Sequence, residues 1–329
     1  MSATDTTQEP QVNPLAGFVP VEIQTLRTSK ADAVDLFVQY EPNCDPVLYS
    51  RSGGCPSDEQ FAELAEAGVQ CLYVRNDDFF SFSSNLMESL ESLLQQDDIP
   101  KTEKFAALQL AVAMEIEQTL RLVDCNKFRM LAEKIGHDLV GLLANAEVLP
   151  RELFRLARHD FNTFTHVTNV ASYSVLLAQA MGISDRKQLE QISSAAILHD
   201  VGKRFIPAKI LTKPGRLDPE ERSIVETHPV RGYEELCDRD GLEFGQLMMV
   251  YQHHERVDGT GYPVRILKNE IHPWAKMLAV VDVFDAMTAR RPYRRPATPE
   301  FVLDYQRKNA GTHFDTEVVE CWISAMSKA

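Results

Sequence analysis

With 329 residues, 44% of them hydrophobic and 25% charged, the chain has the make-up of a globular protein long enough for more than one domain. No run approaches the ~18 consecutive apolar residues of a membrane span, so no membrane role is expected. Residues 1–150 hold 10 Lys and Arg against 24 Asp and Glu, whereas residues 151–329 hold 24 of each; this acidic first half excludes duplex nucleic acid as the partner.

Residues 1–16 read as a disordered tail: Met1 to Pro20 is polar and has no Lys or Arg, so it is neither a secretory signal nor a transit peptide. A cytoplasmic location follows as the expectation, with the six scattered cysteines, none in a CxxC pair, as free thiols. Residues 17–98 alternate short apolar runs with turn signals, which predicts a small α+β regulatory domain. Its strands are Val19–Ile23, Leu36–Tyr40 and Val69–Val74, and a helix follows Ser57, with Ser57 as cap, Asp58 and Glu59 in the first turn and Gly68 at the stop. Residues 99–147 almost lack Gly and Pro and space their apolar residues for helices, in the series Phe105, Leu108, Val112, Ile116 and Leu131, Ile135, Leu139, Leu142. This connector either packs on the following domain or dimerises and transmits a signal.

From 148 to the C-terminus the text is helical, with loops at Pro214-Gly215 and Gly259–Pro263. A buried helix is expected over Lys276–Ala289, and another opening at Thr298-Pro299-Glu300. On these apolar stretches stand His166, His199-Asp200, His228, His253-His254 and Asp282. Burying an unpaired ionisable group is costly, and binding a metal is one way to offset it. Five histidines and two aspartates exceed the three protein ligands of a catalytic zinc site and suit two divalent ions sharing a carboxylate. Imidazole and carboxylate without thiolate favour Fe, Mn or Zn over softer metals; Fe or Mn is the expectation, with Zn possible.

Two stretches, His199-Asp-Val-Gly-Lys203 and His253-His-Glu-Arg-Val-Asp-Gly-Thr-Gly-Tyr-Pro263, resemble the signatures of the HD-GYP phosphodiesterases, a branch of the HD hydrolase superfamily. The resemblance runs from about Pro150 to the C-terminus and takes in Lys213-Pro-Gly215, His228-Pro229 and Asp282–Arg294. It implies a mainly α protein, an all-helical HD-type hydrolase domain behind the α+β domain and connector. The activity it implies is hydrolysis of cyclic di-GMP to pGpG or GMP in bacterial second-messenger signalling. His166, His199, Asp200 and Asp282 would hold one ion and His228, His253 and His254 the other, with Asp200 bridging and taking part in catalysis.

Lys203 would steady the scissile phosphate or protonate the leaving oxygen, or else only cap its helix. Tyr262 and Gly261 of the GYP loop, Arg291, Arg294 and Lys213 are the implied substrate contacts; arginine suits both phosphate and base. The loop is also the implied docking point for diguanylate cyclase (GGDEF) proteins. Two departures stand out. Asn162 occupies the position where some members carry a glutamate for a third metal, so two ions are expected. Asn169 replaces the arginine of the usual H-x-x-R-V context of His166. The rival readings are a cyclic-dinucleotide sensor or cyclase-docking protein with little turnover, and a hydrolase of a hybrid cyclic dinucleotide.

Overall fold

Short apolar runs closed by turns make the first part of the chain a sheet, and long apolar periods make the rest helical. The computed structural model describes residues 15, 17–23, 26, 34–41, 44–54, 56–69, 71–75, 77–78, 99, 104, 108, 125–144, 154, 163–211, 213, 215–289 and 296–327. It divides into two units, Met1–Ala107 and Leu108–Ala329.

In the first unit, strands β1 (Phe18–Glu22), β2 (Leu36–Val38), β3 (Val47–Ser50) and β4 (Cys71–Arg75) form an antiparallel sheet in the order β1-β4-β2-β3. Val21, Leu36, Val38, Leu72 and Val74 are buried, as are Phe61 and Leu64 of helix α1 (Asp58–Glu66). Ser57 caps α1 in a reciprocal capping box with Gln60, and Gly68, two residues past the helix, takes a positive φ of 81°. Strand β3 was not expected. It lies at the sheet edge with Val47 and Leu48 exposed, so the alternation that reveals a half-buried strand is missing.

The second unit is helical. Helix α2 (Cys125–Ala144) buries Phe128, Ala132, Ile135, Leu139 and Leu143. It packs on α4 (Arg186–Leu198), so residues 125–144 of the 99–147 segment are a packed helix of this unit. Helix α3 (Thr163–Ala180) is central: every residue from His166 to Ala178 is buried. Its polar members are therefore cut off from water; Ser172 Oγ donates to Thr168 O, whereas Tyr173 Oη and Ser174 Oγ have no hydrogen-bond partner among the described residues. Behind α4 come a 3₁₀ turn, Val201–Phe205, and helices α5 (Ala208–Leu211), α6 (Pro219–Val225), α7 (His228–Leu236) and α8 (Phe244–Gln252). Then follow α9 (Pro273–Thr288), α10 (Pro299–Lys308) and α11 (Thr316–Ser327). Thr298 caps α10 by accepting a hydrogen bond from the Phe301 N–H.

Tyr173 of α3, Phe284 of α9 and Trp322 of α11 meet edge to face, with ring centres 5.2–5.8 Å apart. Such pairs contribute about 0.5–1.5 kcal/mol each beyond their burial. They tie together α3 and α9, the helices that carry His166 and Asp282. No helix among the described residues is long and apolar enough to cross a membrane.

Candidate metal centre

Four of the five candidate histidines are buried, and local structure aims three of them. The last carbonyls of a helix have no intrahelical N–H to accept. His199, His228 and His253 each sit three residues beyond such a carbonyl and donate Nδ1–H to Ala196 O (2.6 Å), Val225 O (2.7 Å) and Val250 O (2.8 Å). A carbonyl only accepts, so the proton is on Nδ1 in each ring and the Nε2 lone pair of the neutral ring is free to face inward. Burial favours the neutral form: it pushes His228 down to about 4, His254 down to about 3, and His253 well below the ordinary range.

The inward atoms converge. Ligand atoms of His166, His199 and Asp200 all lie within 4.8 Å of one another, and so do those of His228, His253 and His254. Asp200 lies between the two groups. Its Oδ2 is 3.3 Å from His199 Nε2, and its Oδ1 is 3.4 Å from His228 Nε2 and 3.9 Å from His253 Nε2. Asp282 Oδ1 is 3.2 Å from His166 Nε2 and 3.9 Å from His199 Nε2. Both carboxyls are held well below the usual range: burial opposes this, but the contact with His199 and the Lys203 ammonium at Asp200, and the bond to His166 at Asp282, outweigh it. His166 is the converse. Burial would lower it, yet its bonds to Asp282 and Asp285 push it up to about 10.

The donor set fits divalent cations. His199 Nε2 and Asp200 Oδ1 are buried with no hydrogen-bond partner, an arrangement that is costly without an ion. His228 Nε2 and His253 Nε2 stand 3.1 Å apart, two lone pairs facing each other once Nδ1 carries the proton. A positive ion turns that repulsion into attraction.

Around this centre, Lys203 Nζ lies 2.5 Å from Asp200 Oδ2, on a side chain about one-third exposed. The Tyr262 ring stacks on His254 at 4.7 Å, and burial raises its hydroxyl pKa well above the ordinary range. Gly261 packs so closely that a Cβ there would lie 2.4 Å from Arg256 N and 2.6 Å from His254 O. Lys213 pairs with Glu221 and lies 3.9 Å from Asp218 Oδ2. Arg291, Arg294 and Asn162 lie outside the described residues. Of the other histidines, His272 caps α9 through Nδ1, His313 stacks on Phe314 and His137 meets Glu190.

Two residues escaped the sequence reading. Glu255 is 2% exposed and accepts hydrogen bonds from Val264 N (2.6 Å) and Arg265 N (3.0 Å), which anchors the segment after Pro263. Asp285 accepts from His166 Nδ1 (2.7 Å) and from Asn169 Nδ2 (2.9 Å). The available signal for Asp285 was its spacing: it lies three residues past Asp282, on the same face of an apolar helix.

A family model described as HD domain matches residues 146–318. The cyclic di-GMP phosphodiesterase response regulator RpfG of Xanthomonas campestris is 35% identical over 55% of this chain and 50% of its own length. The 3'3'-cGAMP-specific phosphodiesterase 2 of Vibrio cholerae is 38% identical over 62% of this chain and 40% of its own. The alignments thus reach half the length of these relatives or less. In structure, the chain matches Bd1817, an HDG"Y"P protein of Bdellovibrio bacteriovorus, with a TM-score of 0.66 over 93% of this chain and 98% of that one. At 18% identity this likeness speaks for a shared fold. The chain belongs to the HD-domain family, in its HD-GYP branch.

Proposed function

We propose that the protein is a metal-dependent phosphodiesterase that hydrolyses a cyclic dinucleotide, with cyclic di-GMP as substrate and pGpG or GMP as product. The observation that carries this reading is the pair of ligand clusters with Asp200 between them. His166, His199, Asp200 and Asp282 would hold one ion, and His228, His253, His254 and Asp200 the other; Fe or Mn suits these donors. When bound, two such ions supply Lewis acidity toward phosphoryl oxygens and a water nucleophile at neutral pH.

The chain's own groups then divide the remaining work. Lys203 is partly exposed, and its ammonium group can meet a phosphate oxygen or give a proton to the departing ribose oxygen. Tyr262, held flat against His254, offers a face for a base and a hydroxyl for a phosphate. Arg291, Arg294 and Lys213 are assigned to substrate by the family resemblance, as is docking of diguanylate cyclases on the 259–263 loop.

The test is metal analysis of the purified protein together with a product assay on cyclic di-GMP. Linear pGpG or GMP is expected with Fe or Mn, and no turnover with any divalent metal would end the enzyme reading. The same assay should include 3'3'-cGAMP, because a relative at 38% identity is named for it. Faster cleavage of 3'3'-cGAMP would favour the hybrid-dinucleotide reading. Lys203→Met separates the two roles of that residue. If Lys203 serves the phosphate or the leaving group, kcat falls roughly 10²–10⁴-fold with metal content retained. If it only closes the helix, kcat stays unchanged.

A further inference from the structure

His166 differs from its neighbours in where it sits. His199, His228 and His253 take their aim from carbonyls at helix ends. His166 stands inside α3, as its fourth residue, where the backbone ladder engages the surrounding carbonyls. Side chains face both nitrogens of this ring, Asp285 at Nδ1 and Asp282 at Nε2. The Nδ1–H goes to Asp285 Oδ2 at 2.7 Å, and the other oxygen of Asp285 accepts from Asn169 Nδ2 at 2.9 Å. All three are buried, at 7%, 2% and 3% exposure for His166, Asp285 and Asn169.

The arrangement is economical in helices. His166 and Asn169 are three residues apart on α3, and Asp282 and Asp285 are three apart on α9. Each helix thus gives one candidate ligand and one group that braces it. The arginine expected at position 169 would bring a fixed positive charge beside a cation site. The amide found there donates the bracing hydrogen bond without that charge.

We propose that Asp285 and Asn169 are positioning residues that set the ion affinity of the His166–His199–Asp200 cluster; this rests on the metal-centre reading above. The carboxylate fixes the Nδ1 proton and the ring rotation of His166, and Asn169 keeps the carboxylate from turning. Partners of this kind beyond the ligands typically govern 10- to 100-fold in metal affinity.

The test uses the full chain, stripped of metal and titrated with Mn²⁺ and with Co²⁺, with the Co²⁺ absorption spectrum as a second readout. The wild-type chain should take up two ions. In Asp285→Asn a single amide oxygen faces two donors, so one hydrogen bond is lost. One of the two affinities should then fall roughly 10- to 100-fold while the other holds, and the Co²⁺ spectrum of the weakened site should change.

The exchange D285N/N169D supplies the discriminating variant. The new amide at 285 can accept from His166 and donate to the new carboxylate at 169, which restores both hydrogen bonds. About tenfold or more of the lost affinity should return. The proposal is overturned if Asp285→Asn binds both ions as the wild type does, or if the exchange recovers nothing. Failure of the wild-type chain to take up two ions would sink the metal-centre reading itself, and this inference with it.

Discussion

Replacing Asp200 by Ala is expected to lower turnover of a cyclic dinucleotide by about 10³-fold or more, which corresponds to roughly 4 kcal/mol of lost transition-state stabilisation. Both imidazole groups approach Asp200, with Oδ2 near His199 and Oδ1 near His228 and His253. Its removal should cost both ions affinity and leave Lys203 Nζ without its carboxylate partner. The measurement is kcat/KM alongside metal stoichiometry, with thermal unfolding as a check on folding. A folded variant that keeps two ions and full activity would refute the bridging role. If the protein instead served as a docking module through its 259–263 loop, binding to a cyclase partner would survive the substitution while any hydrolysis vanished.

Gly202→Ala is expected to have the largest effect on stability. A Cβ at this position would lie 2.0 Å from His228 O and 2.6 Å from Gly232 N. Both are backbone atoms of α7, so no side-chain rotation can relieve the clash, and the 3₁₀ turn must move away from α7. Overpacking of this kind costs typically 1–3 kcal/mol and occasionally more, or roughly 2–4 °C in Tm per kcal/mol for a domain of this size. Because the displaced helix begins at His228, affinity at the His228–His253–His254 cluster should fall together with Tm. Calorimetry and metal titration of the same preparation check this. An unchanged Tm with unchanged ion binding would mean that the turn has room which these contacts deny.

Much of this was legible in the sequence, for identifiable reasons. The helical domain announced itself through ionisable residues interrupting apolar helices, and the doublets His199-Asp200 and His253-His254 fall where α4 and α8 end. Ser57 and Thr298 could be read as caps because the residue types that cap helices are few. Strand β3 could not be read: an exposed edge strand carries no burial alternation. Nor could the pairing of Asp285 with Asn169: the spacing of Asp285 from Asp282 marks its face of α9, but a hydrogen bond between residues 116 apart leaves no local pattern. Asn169 looked like a loss relative to the family arginine; in the fold it holds the carboxylate that holds His166. Glu255 stood in plain view beside His253-His254, but only the path of the loop shows its oxygens turned to Val264 and Arg265.

The carbonyl-aimed histidines carry a consequence for how this centre tolerates change. Where a ring is oriented by main-chain oxygen, every amino acid at the accepting position supplies the same oxygen. The side-chain identity of Ala196, Val225 and Val250 thus does not enter the aim of His199, His228 or His253, and what limits exchange at Ala196 and Val250 is their packing in the core. His166 has no such insurance, because its orientation is written in two side chains that must change together or not at all. Sequence drift around the centre should therefore be lopsided: limited only by packing at positions 196, 225 and 250, and correlated between positions 169 and 285.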